Sequence, residues 1–325
     1  MADDAPDDLD DLEAALAADR QGPTDPLGGI TTPDHAPTWD ELVDGWELFR
    51  APILAGGLAG LALGFLSVYV VLRRMVFVSA SVTQAAGFGV AASFYLGARM
   101  GWSFDPTWGA TAMAMITASL VAPDPRRLGL SREMVLGLTF ALFSGLTVLA
   151  SARMPQEAHD VQAILFGTAV VVSAADLDRL LVAAAGVLSL HAWWFRGFTF
   201  ASFDPLAARV QGLPVRALDL VLVLTIGLMV GESARTLGAL PAFALSTLPG
   251  MAAVLLARGP LWVPYALAAL VGAIAGAGGY VVAFFLELPV GATQAACAGA
   301  AVILALLGRG VAGVIRRRRR RRRPA

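Results

Sequence analysis

Apolar residues run through this chain in long blocks, and polar positions are confined to the gaps between them. A helix that crosses a bilayer needs about 20 apolar residues. Nine blocks approach or reach that length, at about 51–72, 79–98, 107–122, 133–151, 177–195, 217–233, 237–257, 262–286 and 290–308. This pattern predicts an all-α integral membrane protein with eight or nine transmembrane helices. The eighth block contains Gly276, Gly278 and Gly279, so a tilt or a break is expected there. Residues 160–175 are apolar but too short to span, and the alternation places both of their neighbours on one side. They read as a re-entrant segment, which a bilayer tolerates only where protein or a water-filled cavity surrounds the backbone. The 34 glycines favour close helix packing in lipid.

The arginines orient these blocks. Arg73 and Arg74, Arg126 and Arg127 with Arg132, Arg209 with Arg216, Arg258, and the run Arg316 to Arg323 follow every second block, while the intervening loops carry one basic residue or none. Basic residues collect on the cytoplasmic side. The C-terminus is therefore expected in the cytoplasm and the N-terminus outside, with the chain in the inner (plasma) membrane of a bacterium. Residues 1–50 hold 14 acidic and two basic residues. Rich in Asp, Pro and Ala, residues 1–48 are expected to form a disordered acidic arm. A transmembrane domain follows over 49–308 and an Arg-rich cytoplasmic tail over 309–325. Each tail arginine would contribute on the order of 1 kcal/mol toward anionic lipid headgroups. No aromatic or fold feature accompanies the run to indicate nucleic acid as its partner.

Composition removes several kinds of chemistry. Charged residues are 15% of the chain, against about 25% in soluble domains. All 24 basic residues are arginine, and a Walker A loop requires a lysine for its phosphates. Any ATP hydrolysis must then come from another chain. One cysteine and three histidines leave no CxxC or HExxH ligand set. The chain is expected to be no enzyme and to carry no cofactor of its own.

Five segments carry a resemblance. They are RRMVFVSASVTQAAGFGVA at 73–91; Leu165-Phe166-Gly167 with Ser173 and Asp176; Phe203-Asp204-Pro205 followed by Gly212-Leu213-Pro214; GALPAFALSTLPGMAAVLLA at 238–257; and Gly279-Tyr280 with Leu288-Pro289-Val290-Gly291-Ala292-Thr293. In this order, over about 50–308, the chain resembles the permease subunit of metal-ion ABC importers, which move zinc, manganese or iron. The resemblance implies a permease-like helical bundle that works as a homodimer. It also implies a cytoplasmic ABC ATPase subunit, which supplies ATP and Mg, and a periplasmic substrate-binding protein. It places the translocation pathway along Ser81, Thr83 and Gln84, and the ATPase contact at Leu256, Arg258, Gly259 and Pro260. The family carries an Asp and a His one helical turn apart, thought to contact the cation. Ala80 and Gln84 stand at those positions here. Alanine has no ligand atom, and a glutamine offers one neutral oxygen, a poor site for zinc.

Other residues carry two readings. Gln84, Ser81 and Thr83 could line a pathway or make interhelical hydrogen bonds. Glu232 and Arg235, three apart near the outer end of the sixth block, are candidates for an outer gate, with a local ion pair as the simpler expectation. His191 is ionisable within a span, but its neighbours Trp193 and Trp194 favour an interfacial position. A second functional reading keeps the ABC complex but changes the cargo to a metal chelate or another small solute. A secondary transporter would need buried ionisable groups for coupling, and the near absence of charge within the blocks counts against it.

Overall fold

The computed structural model describes residues 37–101, 105–122, 131–154 and 172–321, with side chains as far as residue 310. Thirteen helices occur among them: α1 Trp39–Asp44, α2 Trp46–Leu72, α3 Val76–Met100, α4 Pro106–Val121, α5 Arg132–Ala152, α6 Ala174–Trp193, α7 Phe195–Phe203, α8 Pro205–Val210, α9 Val215–Thr236, α10 Ala239–Leu245, α11 Leu248–Leu256, α12 Val263–Leu286 and α13 Val290–Arg321. Every one of the nine apolar blocks is helical. Their starts are encoded locally. Asp105 caps α4 with Pro106 at its first position, Ser131 caps α5, Ser173 and Asp176 form a reciprocal capping box on α6, and Asp204 accepts from two amides of α8. Each cap satisfies amides that would otherwise lack partners at a helix start.

Among the described residues, seven stretches are long and apolar enough to cross a membrane, or eight if the bent pair α6–α7 counts as one span. The chain is thus a multi-pass membrane protein. Three details differ from expectation. The eighth block is unbroken, because its glycines serve as packing surface. The seventh is broken instead, between α10 and α11 at Ser246 and Thr247, with Pro249 restarting the helix. The fifth bends by 73° between α6 and α7. Part of the stretch expected to be a disordered arm is also helical, since α1 and the start of α2 occupy 39–48. There Trp39 packs on Phe285 of α12, with ring centroids 4.4 Å apart. Most of the re-entrant segment expected at 160–175, including Leu165-Phe166-Gly167, lies outside the described residues, as do residues 1–36.

The centre of the bundle is an antiparallel pair of helices in backbone contact. A Cβ placed on Gly56, Gly60 or Gly64 of α2 would run into the carbonyls of Gly276, Gly272 or Ala268 of α12, and the reverse holds for Gly272 and Gly276. Without a hydrophobic drive between helices in lipid, close backbone approach supplies the packing attraction. Similar contacts join Gly89 of α3 to Gly109 of α4, and Gly227 and Gly231 of α9 to Ala118 and Thr111 of α4.

These pairings determine which ends lie together. The end of α2 meets the starts of α9 and α12, so Arg73, Arg74, Arg196, Arg209, Arg216 and Arg258 gather at one end of the bundle. Asp105, Asp176, Arg179 and Glu232 gather at the other. Arg99, Arg153 and Arg235 also lie at that second end, so among the described residues the arginines show a bias toward the first end.

Replacing Gly60 with Leu should separate α2 from α12 and destabilise the chain by about 1–3 kcal/mol or more, the usual cost of overpacking. Gly186→Ala, where an added Cβ meets nothing within 4 Å, should be tolerated. Thermal unfolding of both variants in detergent tests the contrast.

Candidate functional site

The polar stretch of α3 divides into two faces. Ser79, Ser81 and Thr83 are buried. Ser81 donates to the carbonyl of Leu136 in α5 at 2.9 Å, and Thr83 donates to the carbonyl of Ser79 at 2.7 Å. Both hydroxyls are thus committed inside the protomer. On the other face Ala80, Gln84 and Phe88 follow one another at one-turn spacing, each half-buried, below the exposed Phe77. Among the described residues the Gln84 amide has no hydrogen-bond partner. The structure therefore separates the three pathway candidates: Gln84 lies on the half-buried face, where Phe88 one turn further on stacks on Phe143 of α5 with centroids 5.6 Å apart, whereas Ser81 and Thr83 are buried.

A residue that sequence reasoning passed over ties this helix to the broken span. The hydroxyls of Ser79 and Ser246 lie 2.5 Å apart. Ser246 and Thr247 sit at the α10–α11 break, where Thr247 donates to the Phe243 carbonyl at 3.0 Å. A break within a span requires its freed polar groups to be satisfied by protein, and these hydroxyls help to do so. The Ser-Thr-Leu-Pro sequence at 246–249 was the available signal. Gly238, at φ 106°, makes the preceding junction between α9 and α10 in a conformation that favours glycine.

From the break, α11 packs Gly250 against the Ser67 backbone of α2 and ends at Leu256, the first of the four ATPase-contact candidates, with the other three in the loop that follows. Leu256, Arg258, Gly259 and Pro260 are all exposed, beside exposed Leu261 and Trp262. Gly259 has φ 112°. They stand at the arginine-bearing end. Close by, Arg73 donates from Nε to Ser202 Oγ at 2.8 Å and forms an ion pair with Asp219, which pins α7 and α9 to the end of α2.

His191 is fully buried, which corrects the interfacial expectation. Its Nε2 lies 2.9 Å from Thr225 Oγ1, and its ring lies among Phe198, Tyr69 and Phe65. Two residues along α6 turn its face by about 200°, so Trp193 points outward while His191 points inward, and the bend brings Phe198 of α7 onto the imidazole with centroids 4.3 Å apart.

At the opposite end, Glu232 is buried and accepts from Thr111 Oγ1 at 2.8 Å. No ion pair joins it to Arg235 among the described residues, and Arg235 Nε has no partner. The expected local pair is replaced by a contact between α9 and α4, because the glutamate turns into the packed face. The charged link at this end is Arg179, which binds Asp105 at 2.6 Å and Asp176 at 3.0 Å. Burial disfavours the Asp105 carboxylate, but the Arg179 hydrogen bond and the donors of Thr107 outweigh it and hold its pKa below the ordinary value. Among the described residues, no three His, Cys, Asp or Glu side chains are grouped so as to hold a metal ion.

The chain is a glycine-packed helical bundle with one broken span and one bent pair. The model of the ABC 3 transport family matches residues 46–309, and the chain belongs to that family. It is the membrane-spanning permease subunit of an ABC importer. It is similar to the manganese transport system membrane protein MntC of Halalkalibacterium halodurans, at 26% identity over 86% of this chain and 93% of that one. It is also similar to the chelated iron transport system membrane protein YfeD of Yersinia pestis, at 24% identity over 66% and 69%. Among solved structures, PsaBC from Streptococcus pneumoniae in complex with Fab has the same fold, with a TM-score of 0.71 and 23% identity over 82% of this chain and 95% of that one.

Asp105→Asn keeps a good helix cap and removes the ion pair with Arg179. At neutral pH it should cost no more than about 1 kcal/mol, since the pair is partly exposed. A carboxylate with a depressed pKa stabilises the fold above its unfolded pKa of about 3.9, and that contribution is lost as the pH falls through the folded value. The difference in melting temperature between parent and variant should therefore be constant from about pH 7 to about pH 5 and close as acidity increases further.

Proposed function

We propose that this permease imports a divalent metal ion of the manganese, iron or zinc class. The observation that carries the reading is the match along the whole helical bundle to membrane proteins of manganese transport systems. Two copies assemble so that their α3 faces, with Ala80, Gln84 and Phe88, border a shared pathway. A cytoplasmic ABC ATPase, which holds ATP and Mg, docks on the exposed loop Leu256, Arg258, Gly259 and Pro260, and a periplasmic binding protein delivers the cargo to the end that carries Glu232 and Arg235. The arginine-bearing end and the C-terminus face the cytoplasm, in accord with the bias of basic residues toward that side.

Motion at the loop reaches the pathway through a short route. The loop ends α11, α11 begins at the Ser246–Thr247 break, and the break is hydrogen-bonded to Ser79, next to Ala80. Opening one end of the bundle while closing the other is then a displacement of α3 relative to the α10–α11 pair, driven by the partner ATPase.

One observation favours a second reading, in which the cargo is a metal chelate or another small neutral or cationic solute. The α3 face offers no carboxylate or imidazole at Ala80 and Gln84, so a bare ion would gain little from this helix in exchange for its water.

The test is radiometal uptake in a strain lacking this gene but retaining its ATPase and binding protein. Wild type should restore manganese uptake. If Ala80→Asp with Gln84→His transports while wild type does not, the chelate reading replaces the bare-ion one. If neither transports, the metal reading fails. In the same assay Arg258→Glu should lower uptake at least tenfold and reduce recovery of the ATPase with the permease. Its melting temperature should barely move, since exposed substitutions away from packing cost about 0.5 kcal/mol or less.

A further inference from the structure

Where α6 gives way to α7 the chain turns through 73°. The turn opens a groove of about 420 Å³ whose walls include Trp193, Trp194, Phe195, Arg196, Gly197 and Leu213. Both indoles are exposed, Trp193 at 86% and Trp194 at 46%. Arg196 is exposed and forms no ion pair among the described residues. The carboxylates of the neighbouring segments are engaged elsewhere. Asp204 accepts from the first amides of α8, and Asp219 is held by Arg73.

The groove continues into an apolar track. Val182, Gly186, Leu190 and Trp193 lie on one exposed column of α6, at the spacing that stacks side chains along a helix. Gly186 makes a shallow in the middle of that column, since nothing lies within 4 Å of where its Cβ would be. The column leads from the middle of the span to the bend, and the bend lies at the end of the bundle where the arginines gather.

We propose that this groove binds one anionic phospholipid. Its acyl chains lie along the α6 column, the indoles of Trp193 and Trp194 flank the glycerol region, as such rings do at a membrane interface, and the phosphate meets the Arg196 guanidinium. A guanidinium suits a phosphate because its planar donors can engage two oxygens together. The unpaired positive charge at Arg196 selects an anionic headgroup over one that carries its own ammonium. The inference is independent of the cargo and of the ATPase.

The probe is bromine quenching of tryptophan fluorescence. The full-length chain is reconstituted in nanodiscs of phosphatidylcholine doped with brominated phosphatidylglycerol or brominated phosphatidylcholine. The signal of the groove is the difference between the parent and Trp193→Phe/Trp194→Phe, which removes two of the seven tryptophans. Brominated phosphatidylglycerol should quench that signal at roughly five-fold lower mole fraction than brominated phosphatidylcholine, the enrichment one arginine confers near a charged surface. Arg196→Gln should bring the two lipids to parity. The proposal is overturned if both lipids quench the parent equally. It is also overturned if the preference survives Arg196→Gln, which would assign it to the general charge of that end. The proposal is overturned too if neither lipid quenches that signal, the result expected if a second copy of the chain covers the groove.

Discussion

Backbone contact between α2 and α12 is the constraint on which the remaining geometry depends. Two helices that touch through Gly56, Gly60 and Gly64 on one side and Gly272 and Gly276 on the other cannot rotate about their axes without steric collision. That fixes where their ends point. The end of α2 presents Tyr69 and Arg73, and the start of α12 presents Tyr265, whose ring packs 4.7 Å from that of Tyr69. Around this pair collect His191 of α6 and Phe198 of α7, and Arg73 reaches on to α7 and α9. In lipid, where burying apolar side chains between helices gains little, such contact and a few committed polar groups replace the hydrophobic core of a soluble protein.

The site is built on a different principle. The α3 helix has a buried face whose hydroxyls are all satisfied and a half-buried face, Ala80, Gln84 and Phe88, that makes no side-chain hydrogen bond among the described residues. The first face holds the helix in place, and the second touches α5 through Phe88 and Phe143. The broken span attaches to the first face at Ser79, so the helix that borders the proposed pathway and the helix that ends in the exposed loop share a single polar contact.

Much of this was legible in the sequence, and the reasons are physical. Nine apolar blocks correspond to helices because a bilayer admits little else, and the arginine alternation matches the two ends because charge cannot be left in hydrocarbon. The capping signals at Ser173 and Asp105 act locally and are readable as such. What was not legible depended on partners distant in the chain. Gly276 and Gly279 look like a point of weakness until α2 and α13 are placed beside them. Glu232 and Arg235 look like a pair until Thr111 arrives from α4. His191 beside two tryptophans looks interfacial until α7 and α9 are placed against it, because two residues of helical rotation separate the exposed Trp193 from the buried imidazole. Ser79 and Ser246 are unremarkable in sequence, and their meeting requires the third dimension.

The Ser79–Ser246 contact also has a property set by where else its protons can go. The Ser246 hydroxyl already lies 2.8 Å from the carbonyl of Phe243 in its own helix turn. If α3 and the broken span part, the Ser246 hydroxyl keeps that local acceptor, while the Ser79 hydroxyl loses its one partner among the described residues. Separation then costs about 1 kcal/mol where water takes the place of Ser246, and about 1–3 kcal/mol where the Ser79 hydroxyl stays dry. A joint of this kind can be undone and remade in every cycle, whereas the glycine seam beside it, which has no such fallback, behaves as a permanent weld.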